Sequence, residues 1–234
     1  MKDKIDGVSL AVLREQLRVS IGVSGTRFTR AAIAQWQHDV EMPPTYLRWM
    51  DESLRILVSN GFLVETGEAY EFAEGAGQSG EAVWREWGAT KAALRSNPEF
   101  DAQLEVLDAT LRALPEILSG RVLATDVLFP ESSMTLVQGL YRDNPTADYF
   151  NSALASMLVA YVKARRGHHA DARLRILEIG AGTGGTSAAV FERLKPYASS
   201  IESYCYTDVS PAFLSHARKT FGPDVPYLTY QIFD

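Results

Sequence analysis

The residues in this sequence that carry chemistry are two acids and a run of glycines. Glu178 stands just ahead of Gly180, Gly182, Gly184 and Gly185. A glycine turn lets a ligand come close to the backbone, because no side chain stands in the way. The spacing departs from the G-x-G-x-x-G fingerprint, and a phosphate site would not want a carboxylate at its mouth. Asp208 ends the next apolar run, Tyr204-Cys-Tyr-Thr-Asp208. It follows at roughly the separation, on the order of 20 residues, expected of a ribose-binding acid. A carboxylate there can accept both ribose hydroxyls. Together these features suit a nucleoside carrying a cationic sulfonium rather than a pyrophosphate.

Such residues need a strand, a turn and a helix to hold them. Leu174, Ile176, Leu177 and Ile179 read as a buried strand over 174–179. After the glycines, 186–194 has helical composition and ends before Pro196, and its free N–H groups point back at the turn. A second strand is expected over 203–207. A second helix follows over 211–221, with Ser210 at N-cap, Pro211 at N1, and Ala212, Phe213, Ala217 and Phe221 inward. A third strand spans 227–233, and Asp234 is the last residue. Strand, glycine turn and helix form the first unit of a nucleotide-binding α/β sheet.

The preceding half reads as mostly helical. Residues 1–8 are polar and read as frayed, and Ser9 caps a helix with Leu10, Leu13 and Leu17 on its apolar face. Segment 21–27 is turn-like, and a helix over 29–38 turns Ile33 and Trp36 inward. A strongly amphipathic helix spans 45–60, and two short strands over 62–72 flank a Thr-Gly-Glu turn. Helices followed by a hairpin make a winged-helix-like unit, here read as a packing or lid module because its third helix carries Asp51 and Glu52. A glycine-rich loop over 75–80 leads to a helix with Trp84 and Trp87 as core anchors, and Asn97-Pro98 restarts a helix with Leu104, Leu107 and Leu111. Segment 123–130 is expected to be an extended connection. Asn144 and Pro145 are a good N-cap and N1 pair for a long helix that carries Ala147, Phe150, Leu154, Met157, Leu158 and Tyr161 on one face, before a solvated loop over 165–172.

The 234 residues, 46% hydrophobic and 22% charged, have ordinary globular composition. A net charge of −6 argues against a nucleic-acid partner. No apolar run is long enough to span a bilayer, so no membrane role is expected and a cytoplasmic location is the default. The single Cys205 rules out an internal disulfide, and His168 and His169 have no third ligand nearby, so no metal site is expected.

The run Glu178-Ile-Gly-Ala-Gly-Thr-Gly-Gly185 resembles the first motif of class I S-adenosylmethionine-dependent methyltransferases. With Tyr206-Thr-Asp-Val-Ser210, Tyr227-Leu-Thr-Tyr-Gln-Ile-Phe-Asp234, Ala124-Thr-Asp-Val-Leu-Phe-Pro-Glu-Ser-Ser-Met134 and Gly139-Leu-Tyr-Arg-Asp-Asn-Pro145, it is similar to the C-methyltransferase domains of modular polyketide synthases, the trans-acyltransferase branch in particular. The resemblance implies an α/β fold: a helical N-terminal lid over 1–122, then the first half of a Rossmann-like sheet over 123–234. It implies S-adenosylmethionine as cofactor and S-adenosylhomocysteine as product. The implied reaction is methyl transfer to the α-carbon of a β-ketoacyl thioester, tethered by phosphopantetheine to an acyl carrier protein, with neighbouring synthase domains as further partners. The matching positions imply cofactor contacts from Glu178, Gly180, Ala181, Gly182, Gly184, Asp208, Val209 and Asp234, with Tyr141, Asn144, Tyr149 and Phe150 as a roof. The family's catalytic His and supporting Glu follow a fourth strand. No position here matches them, His216 included, so no catalytic residue is assigned and the chain alone is expected to be inactive.

The family's sheet has seven strands in the order 3-2-1-4-5-7-6. The first three are read here, which leaves strand one as an open, apolar, parallel edge; a truncated piece of a larger polypeptide, or completion by another chain, is expected. Two other readings stay open: a stand-alone small-molecule O- or N-methyltransferase, and a non-catalytic scaffold module.

Overall fold

The computed structural model describes residues 2–73, 80–97 and 100–234. The expected glycine loop, apart from Gly80, and Pro98 lie outside the described residues. The chain folds as two compact units, Met1–Glu131 and Ser132–Asp234. The division thus falls later than the expected 122/123.

The first unit begins with α1 (Lys2–Ile21), β1 (Arg27–Thr29), α2 (Arg30–Asp39), a 3-10 turn at Pro44–Tyr46, α3 (Leu47–Ser59), β2 (Leu63–Thr66) and β3 (Ala69–Phe72). The three strands make an antiparallel sheet in the order β1-β3-β2, giving a winged-helix-like arrangement. Two readings are corrected here. Segment 21–27 is turn-like as far as Thr26, but an unexpected strand starts at Arg27: Phe28 pairs with Tyr70 across the ladder and packs its ring 5.6 Å from Tyr70 and 5.4 Å from Phe72. A three-residue strand with one apolar member carries no alternation for a sequence reading to detect. Residues 2–8 are not frayed either, and Ser9 lies inside α1 rather than at its cap, because Ile5 and Val8 are buried against Val12, Val83, Trp87, Leu104 and Leu111.

That second cluster is built by α4 (Gly80–Leu94) and α5 (Asp101–Arg112), followed by α6 (Leu114–Leu118). Trp87 is fully buried and satisfies its indole N–H by donating to Asp108 Oδ1 at 2.8 Å. Segment 123–130 is not an extended connection: α7 (Ala124–Leu128) and a 3-10 turn at Pro130–Ser132 occupy it.

The second unit holds α8 (Thr135–Tyr141), α9 (Pro145–His168), β4 (Leu174–Glu178), α10 (Gly185–Leu194), a 3-10 turn at Lys195–Ser200, β5 (Ile201–Asp208), α11 (Pro211–Phe221) and β6 (Leu228–Ile232). The strands are parallel in the order β4-β5-β6, with Leu177 level with Cys205 and Cys205 level with Thr229. Helices connect them, as parallel neighbours require. The core joins Ala155 and Val162 of α9, Val190, Phe191 and Leu194 of α10, Tyr204 and Tyr206 of β5, and Leu214 and Ala217 of α11. Among the described residues β4 is one of the two edge strands, and Leu177 is 56% exposed.

Three expectations for these helices are corrected. On α9 most of the expected apolar stripe faces outward: Phe150, Leu154, Met157 and Tyr161 are exposed, and of the stripe Leu158 packs inward, together with Ala155, Val159 and Val162. The helix is apolar on both faces, so periodicity alone does not say which face meets the sheet. It also runs on to His168, which shortens the solvated loop. On α11 Ala212 is exposed, and Leu214 takes the inward place. No helix among the described residues is long and apolar enough to cross a membrane.

Candidate functional site

The carboxyl ends of β4, β5 and β6 carry the expected residues, the place where open α/β sheets bind ligands. The loop leaving β4 has positive φ at Gly180, Gly182 and Gly184, of 70°, 57° and 77°. A side chain at Gly180 would meet nothing within 4 Å, so the backbone there has an open face. Gly184 and Gly185 serve packing instead. A Cβ at Gly184 would come within 2.6 Å of the Phe221 ring, and one at Gly185 within 2.4 Å of the Tyr141 carbonyl oxygen. Gly184 thus lets α11 approach the start of α10, and Gly185 does the same for the end of α8.

Asp208 is buried, and both its oxygens are engaged. Oδ2 accepts the Gly182 N–H at 2.9 Å and Oδ1 accepts the Ser210 N–H at 2.9 Å. The expected ribose acid is therefore also the brace of the glycine loop. Each carboxylate oxygen keeps a further lone pair for a ligand hydroxyl. Ser210 stands at the N-cap of α11 without capping through its hydroxyl.

Glu178 lies beneath the loop. Its Oε2 accepts from Ser187 Oγ at 2.7 Å and from Tyr204 Oη at 2.8 Å, joining β4 to α10 and β5. Burial pushes the Glu178 carboxyl above the usual range, and the two hydroxyl bonds offset part of that. Thr207 Oγ1 donates to the Glu178 carbonyl at 2.6 Å, and the Ala181 N–H returns a bond to the Thr207 carbonyl at 2.9 Å.

The rim is apolar and open. Val209 is 63% exposed, and Ile179, Ile232 and Phe233 are exposed as well. The Phe233 N–H donates to the Asp208 carbonyl at 3.2 Å, which brings the exposed Asp234 to the same end of the sheet.

The proposed roof residues divide. The Tyr141 carbonyl abuts Gly185 and accepts from Asn151 Nδ2 at 3.0 Å, while its side chain is exposed. Asn144 is buried as the N-cap of α9, its Oδ1 accepting from the N–H groups of Thr146 and Ala147. Tyr149 and Phe150 meet edge-on with ring centroids 5.4 Å apart, and both are exposed. Beside them, Thr186 Oγ1 donates to Asn151 Oδ1 at 2.7 Å and ties α10 to α9.

No family model matches the chain. It is 49% identical over 189 residues to the polyketide synthase PksM of Bacillus subtilis, a match covering 81% of this chain and 4% of that protein. Its fold superposes on the DszA carbon methyltransferase with a TM-score of 0.83 at 33% identity, covering 97% of this chain and 57% of that one. The chain belongs to the C-methyltransferase domains of polyketide synthases. The CurJ carbon methyltransferase, at 24% identity and a TM-score of 0.80, has the same fold, and the chain again covers 58% of its length.

Within this C-methyltransferase chain the sequence reading missed the residues that hold the loop from below. Tyr204, Tyr206, Ser187 and Thr207 all bond to β4 or to the glycine loop. A signal was present. Tyr204, Tyr206 and Asp208 alternate along a strand, and that spacing puts all three on one face.

Proposed function

We propose that this chain carries the S-adenosylmethionine half-site of an enzyme that methylates the α-carbon of a β-ketoacyl thioester on an acyl carrier protein, in the cytoplasm and among neighbouring synthase domains. The observation that carries the reading is the glycine loop braced on Asp208, with the open backbone face of Gly180 above it. The residues present fit a nucleoside cofactor. An open glycine backbone suits the methionine portion, the spare lone pairs of Asp208 suit ribose hydroxyls, and exposed Val209 and Phe233 suit the faces of a purine. Asp234 lies at the same strand ends, ready to accept from an exocyclic amine.

The bound cofactor supplies an activated methyl group, so the protein's work is placement. Gly180 and Gly182 let the backbone approach. Glu178 fixes the start of α10 against β4, so that the free N–H groups of that helix face the site. Asp208 holds loop and ribose together. Two carbonyls flank the α-carbon of the acceptor and acidify it. No residue of this chain is assigned as the base that removes its proton.

The direct test is calorimetric titration of the chain with S-adenosylhomocysteine, beside Asp208→Ala. Micromolar binding that is lost in the variant is expected. A folded wild-type chain that ignores the ligand would favour the scaffold reading.

A further inference from the structure

β5 presents three polar groups on one face, and each bonds to the glycine loop or to the acid that precedes it. Tyr204 bonds to Glu178 at 2.8 Å, Tyr206 Oη donates to the Gly182 carbonyl at 2.8 Å, and Asp208 accepts the Gly182 N–H at 2.9 Å. The peptides on both sides of Gly182 are therefore fixed by the same strand. That determines the φ and ψ of the residue with most conformational freedom to lose. Tyr206 is fully buried, and its hydroxyl lies where a Cβ on Gly184 would reach it at 3.2 Å. Phe221 and Tyr230 flank its ring at 6.4 and 6.1 Å. Burial, reinforced by Glu178 and Asp208, pushes the phenol far above its ordinary value, so it remains a donor at any working pH.

We propose that Tyr206 is a positioning residue for the cofactor: its hydroxyl pre-forms the glycine loop in the shape that receives the amino-acid portion of S-adenosylmethionine. This rests on the cofactor reading above. A loop already fixed in its binding shape spares the ligand the entropy of ordering it. Without the hydroxyl, the Gly182–Thr183 peptide is free to turn and its carbonyl loses this partner.

The test titrates the chain with S-adenosylhomocysteine and, separately, with 5′-methylthioadenosine, which lacks the amino-acid portion. Tyr206→Phe is expected to weaken the first by about tenfold, the upper end for one hydrogen bond, and to leave the second unchanged. Tyr230→Phe removes a hydroxyl from the same core that bonds to the Ala217 carbonyl, away from the loop, and is expected to change neither. Equal weakening of both ligands by Tyr206→Phe, or no weakening of either, would overturn the proposal. Should that variant fail to fold, amide hydrogen exchange on the wild-type chain decides. Gly182 and Gly184 are expected to be protected before ligand is added, and protection that arises only on binding would overturn a pre-formed loop. A wild-type chain that binds neither ligand sinks the cofactor reading itself, and this proposal with it.

Discussion

Ser187 Oγ donates to Glu178 Oε2 at 2.7 Å, so the acid that heads the glycine motif is held by the helix that follows it. Glu178 is buried enough that its carboxyl titrates above the ordinary value of 4.5, desolvation outweighing the bonds from Ser187 and Tyr204. A carboxyl raised in the folded state binds its proton more tightly there than in the unfolded chain. Its contribution to stability is therefore greatest in acid and declines as pH rises from 4.5 through the raised value. Glu178→Gln keeps an acceptor oxygen but cannot titrate. Thermal melts of both proteins across that window are expected to show the wild type losing ground to the variant as pH rises. A difference that stays flat with pH would refute the assignment.

The glycines of one loop separate by function. Gly180→Ala places its Cβ in open space and carries only the cost of a left-handed residue, about 1–2 kcal/mol. It is nevertheless expected to block S-adenosylhomocysteine, because the Cβ occupies the ligand's side of the backbone. Gly185→Ala drives its Cβ into the Tyr141 carbonyl and is expected to cost about 2–3 kcal/mol of stability before any ligand is added. Urea unfolding beside titration separates the two effects.

Asp208 has two duties, and its variants should divide them. Asp208→Ala orphans the N–H groups of Gly182 and Ser210 and is expected to lower stability by about 3 kcal/mol. Asp208→Asn keeps one acceptor oxygen and is expected to lose about half as much stability, while still losing most of its affinity. Denaturant midpoints and titrations on the same samples read both.

The outward face of α9 makes a surface prediction. Leu154→Gln and Met157→Gln are each expected to change stability by less than about 0.5 kcal/mol, since both side chains already meet solvent. Leu194→Ala, in the core under the same helix, is expected to cost about 2–5 kcal/mol. The two glutamine variants should also reduce any self-association on gel filtration, because Phe150, Leu154, Met157 and Tyr161 form one exposed apolar stripe. Unchanged elution would argue that the stripe makes no contact between copies.

Much of the second unit was legible in advance. The runs around Ile176, Tyr204 and Leu228 read as strands because they are short, apolar and bounded by turn signals; Asn144-Pro145 and Ser210-Pro211 read as helix starts because proline at N1 gives up no bond. What escaped was local structure without a pattern of its own. β1 exists because Phe28 packs against Tyr70 and Phe72, residues far along the chain. The first turns of α1 are held by Trp87 and Leu104, which no periodicity in residues 1–8 announces.

The sequence alone determined the order of elements in the second unit, because glycines, proline caps and hydrophobic spacing act through local backbone geometry. Only the tertiary structure decided which face of α9 is buried, since both faces are apolar and the choice depends on what Val190 and Leu194 offer it. Only the tertiary structure showed that Asp208 braces the loop and that Tyr206 lies beneath Gly182. Those bonds join residues distant in sequence, and a hydrogen bond depends on the position of two atoms in space, not on their spacing along the chain.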